Sequence, residues 1–358
     1  MDRERSLAVF ERDSVVATLS AYVVGIALPG GVSAEATALV DIGVIPERRG
    51  LGLARALITA FCNQAHTRGE ALAVLNTDLG GLYERFGFGV ATTAWSAVLP
   101  ASRDESPPGG NRRAQVHLIG ANEATAVLPE IFAASQHHKV GEVLRTSQWW
   151  EEHLADASRA RVPTEFAVIE QDGERQGYVA FVRPMKRSGS VVVSELVVTD
   201  DGGSLELLDF VRDLTDGEPM RLRSQPFDMI AALDGRAADR EASPQLWLRI
   251  LDVAQALSLR RYAAASSTVL AVGDELLEAN RDRFLLETYD DGTASVASST
   301  AEAAITLDVG ALGRVFLGGS TFGELAASGA IVVGDVSVLE KIDRAFATTG
   351  TPFCSTLL

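Results

Sequence analysis

The feature that most restricts how this chain can fold is a strand, a basic glycine-rich turn and a helix in direct succession. The strand begins at Ile42 and breaks at Pro46, and the turn reads Arg48-Arg49-Gly50-Leu51-Gly52. Apolar residues then recur at helical spacing, at Leu53, Leu57, Ile58, Phe61 and Ala65. Such a helix start offers unpaired backbone N–H groups and the positive end of the helix dipole to an anion, and two arginines add charge. The segment therefore predicts an anion site that a pyrophosphate would fit.

A second strand and a short helix follow. Ala71 to Asn76 is an apolar run typical of a buried strand, and Leu82 to Phe88 reads as a short helix that turns at glycine. Arg49-x-x-Gly52-x-Ala54 resembles the acyl-CoA loop pattern of the GNAT N-acetyltransferases. Leu82-Tyr83-x-x-x-Gly87-Phe88 resembles their second CoA-side motif. The alternative for the loop alone is an ordinary strand-to-helix turn with solvated arginines, and the pair of motifs favours the GNAT interpretation.

Length and composition limit the classes of protein that remain. A chain of 358 residues exceeds what one core usually supports, so we expect two or three domains. The 47% hydrophobic content argues against disorder. The net charge of −16 argues against a nucleic-acid partner and would attract cationic small molecules. Val15 to Leu28 is too short and too interrupted to span a membrane, and two cysteines suit a reducing compartment, so we expect a cytoplasmic protein.

Residues 1–103 are predicted to form a first GNAT domain. Three strands, Ser6–Arg12, Val15–Leu28 and Glu35–Ile45, precede the loop, and Val90–Leu99 is expected to close the domain. The resemblance implies a further strand and two helices before Ser6, for which this sequence has no residues. We therefore expect a shortened domain, which either begins at a misplaced start or has a half-open acceptor pocket. The stretch 100–111, rich in proline, glycine and serine, is the best boundary.

Residues 112–240 repeat the order of strands and helices and resemble a second GNAT-like domain. Where the first copy has arginine beside glycine, this one has Asp200 and Asp201, which would repel a pyrophosphate. We therefore interpret it as a degenerate copy that binds no CoA.

Residues 245–358 resemble the sterol-carrier-like α+β domain that ends the Eis (enhanced intracellular survival) acetyltransferases. The segment LWLRILDVAQAL is similar to the first strand of that domain, and LEKIDRAFATTGTPF to its last helix and tail. The predicted fold class is thus α/β and α+β. It consists of tandem GNAT-like domains, the first N-terminally shortened and the second degenerate, plus a C-terminal sterol-carrier-like domain. The chain is identified as a member of the Eis family.

The resemblance implies a site for acetyl-CoA as the acetyl donor. The backbone of the strand before Pro46 would pair with the pantetheine arm, and the turn and helix start would surround the pyrophosphate. Asp41 and Asp78 would flank the acceptor side, where each could attract an ammonium group or could simply be solvated. The residues assigned to the cofactor are Ile42, Gly43, Val44, Arg48, Arg49, Gly50, Gly52, Leu53 and Asp78.

The resemblance also implies two catalytic groups. Tyr83 would be the general acid that returns a proton to the departing thiolate, since a phenol with a pKa of about 10 suits that role. The terminal carboxylate of Leu358 would assist deprotonation of the amine. The alternatives are a core tyrosine that caps a helix turn, and an apolar tail packed for stability alone.

Other candidate groups favour simpler interpretations. His137, His138 and His153 have the residue types of a metal site but no carboxylate at ligand spacing, so we predict solvated histidines and no metal. Trp149 and Trp150 are better explained as a helix-packing pair than as an aromatic wall for a sugar.

The sequence thus predicts an acetyl-CoA-dependent N-acetyltransferase. Its acceptor would be a primary amine of a polycationic small molecule, aminoglycoside-like, or a lysine-like amine. The resemblance further implies a homohexamer. The alternative is a catalytically impaired scaffold that binds CoA or an apolar ligand, because the acceptor-side helices are missing.

Overall fold

The computed structural model describes residues 5–101, 114–135, 139–183, 189–199, 203–233 and 235–358. The chain divides into two compact units. The first comprises Met1–Thr93, Val140–Leu144 and Pro244–Leu358, and the second comprises Ala94–Lys139 and Arg145–Ser243. None of the helices described here has the length and apolar character needed to cross a membrane.

The described strands form three sheets. In chain order they are β1 Leu7–Glu11, β2 Ser14–Leu28, β3 Val32–Val44, β4 Leu72–Leu75, β5 Gly89–Val90, β6 Thr93–Leu99, β7 Ala114–Ile119, β8 Val143–Leu144, β9 Glu165–Gln171, β10 Glu174–Val182, β11 Val191–Val198, β12 Met220–Gln225, β13 Ala238–Pro244, β14 Trp247–Ile250, β15 Ser266–Gly273, β16 Asp282–Thr288, β17 Ala294–Ser298, β18 Ile305–Asp308 and β19 Val332–Val333. The helices are α1 Leu53–Thr67, α2 Gly80–Tyr83, α3 Ala121–Ser135, α4 Ser147–Arg159, α5 Ser204–Leu214, α6 Phe227–Ala232, α7 Val253–Leu259, α8 Val309–Phe316, α9 Phe322–Ala327 and α10 Ser337–Phe346.

The first sheet has the order β1-β2-β3-β4-β14-β5, with β8 added to β2. Strands β2 and β3 form an antiparallel hairpin, and β3 pairs in parallel with β4. Helix α1 makes the crossover between them, as a parallel connection requires. Its buried residues are Leu57, Ile58, Phe61, Cys62 and Ala65, which confirms the amphipathic helix predicted from their spacing.

Strand β14 lies where the sequence does not predict it. Trp247–Ile250 was expected to begin the third domain, but it pairs with β4 at Trp247↔Leu75 and with β5 at Trp247↔Val90. All four residues are buried. Leu248 and Ile250 face one core, while Trp247 faces the core beneath α1. Apart from Arg249, this strand is apolar and is buried on both faces, so the alternation that would indicate which sheet it joins is missing from its sequence.

The predicted strand Val90–Leu99 is divided between two sheets. Gly89–Val90 belongs to the first sheet, and Thr93–Leu99 pairs with β12 in the sheet of the second unit. The break is fixed by Leu246, whose carbonyl accepts hydrogen bonds from the N–H groups of Ala91 and Thr92. Residue boundaries of the domains remain predictions.

The last part of the chain adds a five-stranded sheet, β17-β16-β15-β18-β19. Its helices α8, α9 and α10 share one continuous core with these strands and with one face of the first sheet. Leu270, Leu312, Phe316 and Phe322 are each 0% exposed in that core. The interior between this sheet and its helices is therefore filled by side chains.

The second unit has a seven-stranded sheet in the order β13-β6-β12-β11-β10-β9-β7. Most of its elements match the predicted ones, but β12, α6 and β13 are additional. Asp200 and Asp201, on which the interpretation of a degenerate CoA site rests, lie outside the described residues.

Candidate active site

Strands β3 and β4 separate at one end and leave a gap in the sheet. They pair only at Thr37↔Ala73 and Ala38↔Val74, although β3 continues to Val44. On its other side β3 remains paired with β2 up to Ala17↔Val44. The backbone of Ile42 to Val44 thus has a sheet partner on one side and faces the gap on the other. An extended amide-containing chain could bind there as an added strand would.

A β-bulge bends β3 at the start of this gap. The register with β2 shifts between Thr18 and Ser20, and Asp41 has a left-handed backbone conformation with φ of +50°. The Thr18 hydroxyl donates to the Asp41 carbonyl at 3.2 Å. Bulges redirect the backbone beside active sites, and a strained residue of this kind costs of order 1–3 kcal/mol. The bulge therefore aims peptide groups of β3 toward the gap.

The turn after β3 leads to a helix start that no side chain caps. Gly50 and Gly52 have φ values of +78° and +80°, and α1 begins at Leu53. A Cβ at either glycine would meet nothing within 4 Å, so the turn is open and only the backbone angle requires glycine. No side chain caps the first turn of α1, so its N–H groups and the helix dipole could bind an anion.

The two arginines of the turn make weak contacts within the chain. Arg48 Nε lies 2.7 Å from Glu11 Oε2, and both side chains are partly exposed, at 38% and 51%. Arg49 Nε donates to the Val44 carbonyl at 3.2 Å. Exposed ion pairs contribute about 0–1 kcal/mol, so a doubly charged diphosphate could displace these partners.

Tyr83 ends α2 and is held by a tight glycine turn. Gly87 has φ of +77°, and a Cβ there would collide with Arg249 and Val309, so glycine is required for two reasons. The Tyr83 ring meets Phe88 edge-on at 6.0 Å between centroids.

The phenol of Tyr83 is largely buried and remains protonated. The side chain is 8% exposed and lies in the cluster beneath α1, against which Ile42, Val44 and Leu53 also pack. Burial raises the pKa of Tyr83 above its ordinary value of 10.0, because the ionised phenolate would lose solvation. No hydrogen bond to its hydroxyl occurs among the described residues. The hydroxyl thus keeps its proton at neutral pH.

The C-terminal residue lies at the end of β4, the other edge of the gap. The backbone N–H of Leu358 donates to Asn76 Oδ1 at 2.8 Å, and Asn76 directly follows β4. Asn76 Nδ2 donates to the Gln245 carbonyl at 2.7 Å. The structure thus brings the terminal residue to the point where β3 and β4 part.

The predicted residues Ile42 to Val44 lie on the edge of β3 at this gap, and Arg48 to Leu53 form the turn and helix start that follow. Asp78 is exposed two residues beyond Asn76, and no hydrogen bond or ion pair joins it to the turn within the described residues. Among the described residues no hydrogen bond links Tyr83 to Leu358. Asn76 and Glu142, which accept hydrogen bonds from the tail, are not among the residues predicted from the sequence. A polar residue at the end of a wholly apolar strand is the one signal that could have indicated Asn76.

The remaining candidate groups form packing contacts. His153 stacks on Trp149 at 4.4 Å, and Trp149 meets Trp150 edge-on at 5.2 Å. Burial lowers the pKa of His153. Within the described ranges no group of three His, Cys, Asp or Glu side chains could hold a metal, and His137 and His138 fall outside those ranges.

Comparison with family models agrees with this architecture. Residues 1–91 and 141–250 each match a model described as an acetyltransferase (GNAT) domain. Residues 253–355 match a model described as a sterol carrier protein domain. These matches and the three sheets confirm the predicted fold class of two GNAT-like domains followed by a sterol-carrier-like domain.

Similar proteins span nearly the whole chain. N-acetyltransferase Eis of Mycobacterium tuberculosis is 30% identical over 346 residues, with 91% of this chain and 83% of that protein covered. An uncharacterized N-acetyltransferase of Streptomyces avermitilis is 26% identical over 362 residues, with 98% and 88% covered. The crystal structure of Eis1 from Mycobacterium abscessus matches with a TM-score of 0.86 at 26% identity, over 99% of this chain and 90% of that one. The chain belongs to the Eis family of GNAT N-acetyltransferases, and it is an acetyltransferase.

Proposed function

We propose that the protein transfers the acetyl group of acetyl-CoA directly to a primary amine of a cationic small molecule. The observation that carries this proposal is the gap between β3 and β4, which opens beside the uncapped start of α1 and the cluster that holds Tyr83. The pantetheine arm would lie along the free edge of Ile42 to Val44. The diphosphate would lie at the turn formed by Arg48 to Gly52.

The reaction follows from this placement. The amine attacks the thioester carbonyl, and a backbone N–H beside the bulge at Asp41 stabilises the tetrahedral oxyanion. The C–S bond then breaks as the intermediate collapses, and Tyr83 gives its proton to the thiolate of CoA. A phenol that burial keeps neutral is suited to this step.

The terminal carboxylate of Leu358 is proposed to orient the acceptor amine and to accept its proton, through a water or late in the transfer. The support is the hydrogen bond from the backbone N–H of Leu358 to Asn76 Oδ1, which holds this residue at the end of β4. With an ordinary pKa of about 3.5, an α-carboxylate is a weak base, so orientation is the larger part of the role.

The acceptor is proposed to be a polycationic amine, aminoglycoside-like, or a lysine-like amine. The net charge of −16 would attract such a molecule, and exposed Asp41 at the bulge and exposed Asp78 after β4 would each offer a carboxylate to an ammonium group. A cytoplasmic homohexamer remains a prediction from the family resemblance.

The alternative of a scaffold without useful turnover is not favoured. The relatives that match the whole chain are named N-acetyltransferases.

Release of free CoA thiol from acetyl-CoA tests the proposed activity. We expect thiol release that depends on the added amine and is fastest with polycationic acceptors from a panel of aminoglycosides, polyamines and lysine derivatives. Mass spectrometry should find one added acetyl group per thiol released. Thiol release that no amine in the panel accelerates would contradict the proposal.

Alanine at Gly52 should weaken the binding of acetyl-CoA. A side chain at φ of +80° costs roughly 1–2 kcal/mol, so we expect KM for acetyl-CoA to rise about tenfold as the turn changes shape. Gly69→Ala is the matched control, because Gly69 has φ of +77° and equally open space but lies at the other end of α1. An equal rise of KM in both variants would show that strain, and not the turn, is responsible.

A further inference from the structure

The side chain of Glu142 is a buried carboxylate in the first unit that the proposed reaction does not use. It is 0% exposed and immediately precedes β8, which pairs with β2 at Ile26↔Val143. Its backbone carbonyl accepts a hydrogen bond from the Ala27 N–H at 2.9 Å. Glu142 is thus fixed to the interior of the first sheet.

Both oxygens of this carboxylate accept hydrogen bonds from the C-terminal tail. The N–H of Ser355 lies 3.0 Å and its hydroxyl 2.8 Å from Oε2. The N–H of Thr356 lies 3.2 Å and its hydroxyl 2.8 Å from Oε1. The N–H of Val143 and the thiol of Cys354 also point to Oε1, at 3.2 and 3.7 Å.

The hydrogen bonds from the tail to Glu142 are more than is needed to pack the tail against the core. Phe353 and Cys354 already anchor it in the core, at 6% and 0% exposed. Burial of a carboxylate costs several kcal/mol unless its lone pairs are satisfied, so such a group is an expensive way to add stability alone. Hydrogen bonds to a carboxylate are short and directional, which suits exact placement of the backbone that donates them.

The tail is held at two places before it ends. Glu142 fixes Ser355 and Thr356, and Asn76 fixes the N–H of Leu358. Between them Leu357 points outward, at 66% exposed. Glu142 and Asn76 therefore fix the course of the tail up to Leu358. Neither residue is a reacting group in the proposed mechanism.

We propose that Glu142 is a positioning residue, which clamps the C-terminal tail so that the Leu358 carboxylate stays beside the acceptor amine. This inference rests on the proposed role of the terminal carboxylate. Glutamine at this position would present an amide NH₂ to groups that themselves donate, so part of the clamp would become repulsive.

Glu142→Gln tests the clamp. Because a misplacement of about 1 Å can cost on the order of a hundredfold in rate, we expect kcat to fall by about ten- to a hundredfold, while KM for acetyl-CoA changes less than about twofold. Deletion of Leu358 should lower kcat to a similar extent. In the chain that lacks Leu358, Glu142→Gln should lower kcat no further, because the two changes act through one group.

Asp343→Asn is the control for a general loss of stability. Asp343 is a carboxylate in the same unit that accepts from the N–H groups of Phe322 and Gly323 and has no tail contact, so its variant should keep kcat. If Glu142→Gln does not fold, Ser355→Ala combined with Thr356→Val removes the two hydroxyl donors and should lower kcat by about threefold or more, as expected for the loss of hydrogen bonds to a charged group.

Three results would overturn the inference: normal kcat in Glu142→Gln when deletion of Leu358 lowers kcat, an equal loss in the presence and absence of Leu358, or an equal loss in Asp343→Asn. If deletion of Leu358 leaves kcat unchanged, the proposed catalytic role of the terminal carboxylate fails instead. In that case, the rate at which carboxypeptidase releases Leu358 tests whether Glu142 holds the tail, independently of catalysis. Faster release of Leu358 from Glu142→Gln supports it, and unchanged release overturns it.

Discussion

Tyr83→Phe should lower kcat by a factor of about 10²–10⁴, the usual contribution of a positioned general acid, with little change in KM for acetyl-CoA. The substitution removes only the hydroxyl, which has no hydrogen-bond partner among the described residues. The ring keeps its contact with Phe88 and its place in the cluster beneath α1. Loss of rate would therefore report on proton donation and not on folding. Steady-state thiol release with a saturating amine measures it.

The pH dependence adds a second readout for the same residue. Because burial raises the pKa of Tyr83, its protonated form persists above pH 10.0, and the decline of kcat from loss of this acid should lie above that value. The residual activity of Tyr83→Phe should lack this decline.

Tyr289→Phe is the matched control for this test. Tyr289 is 45% exposed and its hydroxyl donates to Ser295, so its loss should leave kcat unchanged. A Tyr83→Phe enzyme that keeps more than about a third of the wild-type kcat would exclude Tyr83 as the general acid.

Asp274→Ala should destabilise the first unit by about 3–5 kcal/mol, because it leaves a buried guanidinium without its counter-ion. The side chains of Arg249 on β14 and of Asp274 are both 0% exposed, and Arg249 Nη2 lies 2.7 Å from each carboxylate oxygen. Arg249 also donates to the Phe86 carbonyl, in the turn that follows Tyr83. The ion pair thus ties the inserted strand to the segment that carries Tyr83. Urea denaturation and hydrogen exchange of the peptide containing Trp247–Ile250 measure the loss.

Two comparisons make this prediction specific. Glu340→Ala removes an exposed partner of Arg344 on α10 and should cost at most about 0.5 kcal/mol. The double variant Arg249→Met with Asp274→Leu should be more stable than Asp274→Ala, since no charge is left buried without a partner. If Asp274→Ala is no less stable than Glu340→Ala, the buried pair does not hold β14 in place.

The elements predicted correctly from the sequence are those whose pattern lies within one short segment of the chain. Helix α1 was predicted by its helical spacing, and the turn before it by glycines that adopt positive φ. The short helix that ends at Tyr83 and the glycine at Gly87 were predicted by the motif they share with other acetyltransferases.

The parts that were missed depend on contacts between distant segments. Strand β14 is buried on both faces and carries Arg249 among apolar residues, so no alternating pattern in its sequence indicates that it joins β4 and β5. Strand β13 is exposed throughout and has no apolar pattern. Glu142 is a single acidic residue whose role exists only after the tail folds over it. The left-handed conformation of Asp41 likewise arises from the register of β2 and β3.

Titration calorimetry with coenzyme A most directly tests the central claim, that the turn at Arg48 to Gly52 and the gap beside it bind the donor. We expect saturable heat with one CoA bound per chain, and weaker binding by about tenfold in Gly52→Ala, the equivalent of about 1.4 kcal/mol. Absence of saturable heat for the wild-type chain, or identical affinity in Gly52→Ala, would contradict it.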